Sequence, residues 1–399
     1  MYARLTRLFE IRGYRLLIVC MMLIGIGFSI TSPYLSLYFT EELGMSTGAF
    51  GVFMAVSSIS GVLVSSLLAR RSDRGMDRKS LIIIAALSSS LAFASYITFQ
   101  NYFVLLVAVT LFNGLGALTI PQMYAYAQES ATESRSDDKT FAMSTLRSLF
   151  SLGFLIGPLG GTLILSAFGY LGLFWGTFSI YVGIAVLVFL FLRKRAPVVR
   201  TAAKGGEPLV PTPSIRQLWL PLTAFVLLFM VSFMNGINTP LFIVNELQGT
   251  HTDVGIVVSV CAGLEIPIML ALGAMGRRIS NHDLMIYGCA VAFAYFGILC
   301  VSTEPWHLIA AQLLQATFIA ILMGNGLSYF TNLLPGSAGM ATTLYANSST
   351  IGKLLGNLAG GFVAQFIAFR YVNGVCMAIV VLSFLLLWRS RPRQQFASA

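Results

Sequence analysis

Long apolar runs, interrupted at short intervals by clusters of charge, occupy this chain from residue 14 to residue 388. A helix that crosses a membrane needs about 20 mainly apolar residues, and most of the runs reach that length. Inside a bilayer every backbone N–H and C=O must find a partner within the protein, which leaves helices or a closed barrel. Barrel strands alternate apolar and polar residues over short segments. These runs are continuous, so they read as helices. Only 10% of the 399 residues are charged, against roughly 25% in soluble domains. That argues against a water-soluble enzyme, and the high hydrophobicity argues against disorder. The net charge of +10 does not indicate nucleic acid, because most basic residues sit in the breaks between runs.

An all-α membrane protein of twelve spans is expected, at 14–40, 47–70, 80–99, 102–128, 140–166, 171–192, 217–245, 252–274, 284–302, 305–331, 338–367 and 370–388. The first run is too long for a signal-peptide core and lacks a small-residue cleavage site after it, so it is expected to be retained. Twenty-two of the 25 Lys and Arg residues fall at the two termini and in the even-numbered breaks; the opposite side has Arg370 alone. By the positive-inside rule both termini are cytoplasmic. The longest hydrophilic break, 193–216, reads as a cytoplasmic linker between six spans (1–192) and six spans (217–399). Pro33–Leu43 and Pro240–Leu247 resemble each other, and Gly153, Gly157, Gly160 and Gly161 are echoed by Gly352, Gly356, Gly360 and Gly361 at an offset of about 200 residues. Such duplication predicts two pseudo-symmetric six-helix bundles around a central cavity. The five cysteines, all inside apolar runs, show neither metal-ligand spacing nor a disulfide framework. No nucleotide-binding loop or nucleophile constellation is present, so no covalent chemistry, metal or cofactor is expected.

Three ionisable residues lie well inside spans. A charge at the bilayer centre costs about 2.5–3.5 kcal/mol even on the gentlest scale, so such residues usually face a cavity. Glu265 lies near the middle of the eighth span, two residues before Pro267. Proline cannot donate to the carbonyl of Gly263, which loosens the helix beside the acid. Glu265 reads as a proton-carrying or substrate-binding carboxylate, the alternative being a carboxyl bonded to a neighbouring helix. Arg147 in the fifth span and Lys353 in the eleventh are candidates to neutralise a carboxylate or donate to a hydroxylated ligand. For Lys353, snorkelling or a helix interface is the alternative. Neutral polar side chains accompany them: Asn113 and Gln122 in the fourth span, Asn235 and Asn238 in the seventh, Gln312, Gln315 and Asn325 in the tenth, Tyr345 and Asn347 in the eleventh. Amides and phenols offer the donors and acceptors that a polyhydroxylated molecule needs. Each is equally suited to bond a neighbouring helix. The four tryptophans lie near span ends, where interfacial anchoring is their usual role.

Two motifs point to transport. The break Leu68–Lys79 is a tight turn holding Asp73, Arg74, Gly75, Arg78 and Lys79. It resembles the signature cytoplasmic loop of the major facilitator superfamily, a gating element with Asp73 as its acid. The run Gly153, Gly157, Pro158, Gly160, Gly161 resembles the antiporter motif of that superfamily, although one residue rather than two separates the proline from the glycine pair. Over Leu68–Ile82, Ile120–Glu129, Leu146–Leu159, Thr239–Leu247, Ala262–Leu270 and Leu333–Ser349 the chain resembles the bacterial sugar efflux transporter family. The resemblance implies secondary active export of sugars or glycosides such as lactose, glucose and thiogalactosides. It also implies proton antiport by alternating access, with the proton gradient as energy source, in the bacterial inner membrane. A monomer that binds sugar and protons within the lipid bilayer is expected. Family members tend to have Arg-Ala-Gln where this chain has Arg147-Ser148-Leu149. A multidrug efflux antiporter is the alternative. A membrane sensor that moves nothing is less consistent with the Asp73 loop and the intact repeats.

Overall fold

The computed structural model describes residues 13–72, 77–133, 139–193, 215–275, 279–335 and 337–390, and every regular element within them is helical. The expected spans reappear as helices within a few residues at each end. They are α1 (Tyr14–Glu42), α2 (Thr47–Ser72) and α3 (Arg78–Thr98). Next comes α4, in two pieces, Tyr102–Gly116 and Thr119–Glu133. Lys139–Phe191 is one helical stretch broken at Gly169, where φ is 64° and ψ is −169°. That conformation is open to glycine and strained for any side chain, and it divides the stretch into α5 (139–168) and α6 (170–191). The remainder are α7 (Ile215–Leu241), α8 (His251–Met275), α9 (Asn281–Val301), α10 (Pro305–Leu333), α11 (Ala338–Phe366) and α12 (Phe369–Arg389).

Ten segments among the described residues are long and apolar enough to cross a membrane, and one of them, Ala142–Phe191, contains both α5 and α6. At 29 residues α11 is long enough but is diluted by Asn347, Ser348, Ser349, Thr350 and Lys353. A helix of that composition belongs where its polar side meets protein or water rather than lipid. All four tryptophans are exposed. Asp73, Arg74, Gly75 and residues 194–214 of the expected linker lie outside the described residues.

The chain divides into two compact units. The first holds the chain to Met45, Phe53–Lys204 and Val254–Ser259; the second holds Ser46–Val52, Gly205–Asp253 and the chain from Val260. In the first unit an aliphatic core of Leu17, Met21, Ile24, Ile82, Leu146, Ile184 and Val188 joins α1, α3, α5 and α6. Toward the other end of α1, Tyr38 meets Phe174 edge-on at 4.7 Å and Tyr96 stacks on Phe174 at 5.0 Å.

Small residues set the closest helix contacts in both units. A Cβ at Gly153 would fall on the Met22 carbonyl, one at Gly157 on Ser29, and one at Gly161 on the Ile30 carbonyl. Thus α5 lies directly on the backbone of α1. In the second unit a Cβ at Gly352 would fall on Phe229, one at Gly356 would stand 2.5 Å from the Met230 carbonyl, and one at Gly360 3.1 Å from Met234 Cα. Spacing of four residues keeps each trio on one face. Gly160 faces open space, so it takes no part in that contact.

A second device is also built twice. A π-helical turn, Tyr38–Glu42, ends α1, and another, Phe242–Glu246, directly follows α7. Glu41 accepts from the Tyr170 hydroxyl at 2.7 Å, at the start of α6. Glu246 accepts from Arg370 at the start of α12, from its backbone N at 2.9 Å and its Nε at 3.0 Å.

Candidate functional site

In the second unit, polar side chains of α7, α9 and α10 meet, with α8 beside them. Asn235 Oδ1 on α7 accepts from Thr239 Oγ1 at 2.9 Å and from the Tyr295 hydroxyl of α9 at 3.4 Å. Gln312 of α10 also neighbours the Tyr295 hydroxyl, and Cys261 of α8 lies close by. Glu265 follows Cys261 by one turn and is near it; it is half-buried. This brings two sequence candidates, Asn235 and Gln312, together at Tyr295, with the third, Glu265, one turn along α8 from the nearby Cys261. Tyr295 and Thr239 were not expected there, because a single hydroxyl in an apolar run reads as a local helix bond.

The side of α10 and α11 is less satisfied. Ala320–Asn325 is a π-helical turn, a feature frequent at functional sites because it disturbs the backbone ladder. The Tyr345 hydroxyl of α11 reaches the carbonyls of Leu322 and Met323 in that turn, at 3.5 and 3.4 Å. Tyr345 therefore secures α10 to α11. Gly324 in the same turn would bring a Cβ to 3.1 Å from Met269 Cε. Since Met269 is one turn beyond Glu265 on α8, the acid stands about level with the start of the turn. Gln315 is buried, and its Oε1 has no partner among the described residues. Asn325 is half-buried and Asn347 exposed.

Lys353 occupies the middle of α11, fifteen residues from Ala338 and thirteen from Phe366. Its Nζ lies 5.6 Å from the ring centroid of Phe233 on α7. Among the described residues it forms no ion pair or hydrogen bond. Each helix end is roughly 20 Å away at 1.5 Å per residue, too far for a four-carbon stem to snorkel. A ring over an ammonium contributes about 0.5–2 kcal/mol, whereas taking an ion out of water costs several kcal/mol after relaxation. The ring alone does not stabilise this charge. Lys353 needs water or an acceptor that the described residues do not supply.

In the first unit the candidates are dispersed. Arg147 is exposed on α5 and lies near the Tyr124 phenol of α4. Asn113 Nδ2 donates to Ser57 Oγ of α2 at 3.2 Å, and Asn238 of the second unit donates to the Phe369 carbonyl at 3.0 Å and to Asn373 Oδ1 at 3.2 Å. Both amides bond neighbouring helices. Gln122 accepts from Arg78 Nη1 at 2.9 Å, and Arg78 Nε pairs with Glu129 at 3.2 Å. So Gln122 belongs with the loop after α2. Lys79 Nζ donates to the Phe189 carbonyl at 2.8 Å, at the negative end of the α6 dipole. Asp77 caps α3, its carboxylate accepting from Lys79 N at 3.3 Å and Ser80 Oγ at 2.9 Å. The described basic residues of this loop thus tie α3 to α4 and α6. The partner acid Glu129 was legible only as a charge at the end of a span. Pro158 has no N–H to donate into the helix, and its carbonyl accepts from the Tyr34 hydroxyl at 3.0 Å.

The family model described as Major Facilitator Superfamily matches residues 17–305 and 222–398. Sugar efflux transporter A of Dickeya chrysanthemi is 33% identical over 377 residues, covering 94% of each chain. Sugar efflux transporter B of Salmonella typhimurium is 31% identical over 384 residues, covering 96% of each. Among solved structures, the nucleoside transporter NupG superposes with a TM-score of 0.76 at 13% identity, over 95% of this chain and 99% of that one; at that identity the likeness is one of fold. The full-length likeness and the repeated helix contacts lead to one assignment: the chain belongs to the bacterial sugar efflux transporter family of the major facilitator superfamily.

Proposed function

We propose that the protein exports sugars or glycosides from the cytoplasm across the bacterial inner membrane, by alternating access and in exchange for protons. The observation that carries the reading is Glu265, a mid-span acid near Cys261, which in turn lies near the Tyr295 phenol bonded to Asn235. Amides and phenols bind hydroxylated rings from both donor and acceptor sides. A carboxylate in the middle of a span is a group that can carry a proton across it. Lactose, glucose and thiogalactosides are the first substrates to try, since two relatives with the name sugar efflux transporter cover nearly the whole chain. The distribution of Lys and Arg supports cytoplasmic termini. Arg78 with Glu129 and Lys79 with Phe189 support a role for the loop after α2 in holding one conformation.

The test is transport of labelled lactose and a thiogalactoside in proteoliposomes, with and without an imposed pH gradient, beside a drug panel. The gradient is expected to drive sugar against its concentration difference. Glu265→Gln is expected to keep counterflow and to lose gradient-driven accumulation by at least about tenfold, the loss of a contribution near 1.4 kcal/mol. Undiminished accumulation in this variant would remove Glu265 from coupling. Export of drugs without exchange of any sugar would replace the substrate class.

A further inference from the structure

We infer that, among sugars and glycosides, the protein prefers one that carries an anionic group, and that Lys353 is the counter-ion for it. The inference rests on the sugar-export reading and narrows its substrate class. Three observations lead to it, all within the second unit.

Lys353 lies at the middle of its span and faces the Phe233 ring with no acceptor among the described residues. The ring offsets only a minor part of the desolvation of an ammonium. A resting cavity can hydrate the charge, but a bound ligand displaces that water. Whatever binds there must then replace it with an acceptor. A neutral hydroxyl does this weakly, and a carboxylate or phosphate does it with a charge-assisted bond.

The partner for the rest of the ligand is on α10. The helices α10 and α11 are joined by a short turn and run antiparallel, and the Tyr345 hydroxyl touches the carbonyls of Leu322 and Met323. Lys353 is eight residues further along α11, roughly 12 Å. Both side chains lean toward the N-terminus of α11, so the offset carries over to their tips. Seven residues back along α10 from Leu322, and eight from Met323, is Gln315. Its buried Oε1 also has no partner among the described residues. A buried acceptor without a donor calls for a specific explanation. An unmatched donor and an unmatched acceptor at one depth suit a molecule that offers an anion to the first and a hydroxyl to the second.

The experiment is direct binding to the purified full-length protein, with glucuronate and galacturonate against glucose and galactose, and glucose 6-phosphate to separate carboxylate from phosphate. At least one acidic sugar is expected to bind about tenfold or more tighter than its neutral parent, in the range a charge-assisted bond supplies. Lys353→Gln is expected to abolish that preference and Lys353→Arg to retain it, which also shows that the site tolerates substitution. If wild-type protein binds neutral and acidic sugars alike, or Lys353→Gln keeps the preference, the inference is overturned while the sugar-export reading stands. If wild-type protein binds no sugar of either kind, the export reading falls first and this inference with it. Should the glutamine variant not fold, the wild-type comparison still decides.

Discussion

Arg370 carries the heaviest hydrogen-bonding load of any basic residue in the second unit that the structure describes. Its Nη1 donates to the carbonyls of Cys300 and Ser302 at 3.0 and 2.6 Å, closing the end of α9, while Nε pairs with Glu246 at 3.0 Å. Its guanidinium also lies 5.5 Å from the Phe242 ring. One side chain therefore ties α7, α9 and α12. Hydrogen bonds to charged groups contribute about 1.5–3 kcal/mol each, and side-chain exposures of 28% and 23% for Arg370 and Glu246 argue for the lower end. Arg370→Met is expected to cost about 2 kcal/mol of stability in detergent, read from denaturant unfolding. In a double-mutant cycle, Glu246→Gln should cost little more once Arg370 is gone. Full additivity would show that the two do not act together. Lys353 presents the opposite case, a cation whose surroundings within the described protein do not account for it.

Among the helices, adjacent glycines of one motif have different tasks. Gly157 and Gly161 meet the α1 backbone, and Gly160 meets nothing within 4 Å. Gly157→Leu is expected to force α5 off α1 and lower stability by about 1–3 kcal/mol, the usual cost of overpacking. Gly160→Ala is expected to be neutral within about 0.5 kcal/mol, or slightly stabilising through helix propensity. Thermal unfolding of the purified variants separates them, and equal effects would contradict the packing account. The motif was legible as a row of small residues. Which of them touch α1 was not, because helical spacing defines a face but not its neighbour. The π-turns at Phe242–Glu246 and Ala320–Asn325 were illegible for a related reason. One extra residue per turn leaves no compositional trace, and it is stabilised by distant partners such as Tyr345.

For the molecule as a whole, the distribution of charge makes an orientation testable. Ile279, in the connection between α8 and α9, and Thr303, between α9 and α10, are both exposed. In a background with the five native cysteines replaced, Thr303→Cys is expected to react with a membrane-impermeant maleimide from outside intact cells. Ile279→Cys should react only after permeabilisation. The reverse pattern would invert the topology drawn from the basic residues.

Helices and their approximate ends could be read in advance, because the cost of exposing backbone or charge to hydrocarbon is paid residue by residue and leaves a pattern of apolar runs and charged breaks. The same physics hides the neighbours. In lipid, the side of a helix that faces another helix is about as apolar as the side that faces acyl chains, so periodicity does not say what meets what. Gln122, Asn238 and Gln315 are alike as letters, each an amide in an apolar span. Contacts between distant segments separate them: Gln122 is held by Arg78, Asn238 by α12, and the Gln315 carbonyl by nothing among the described residues.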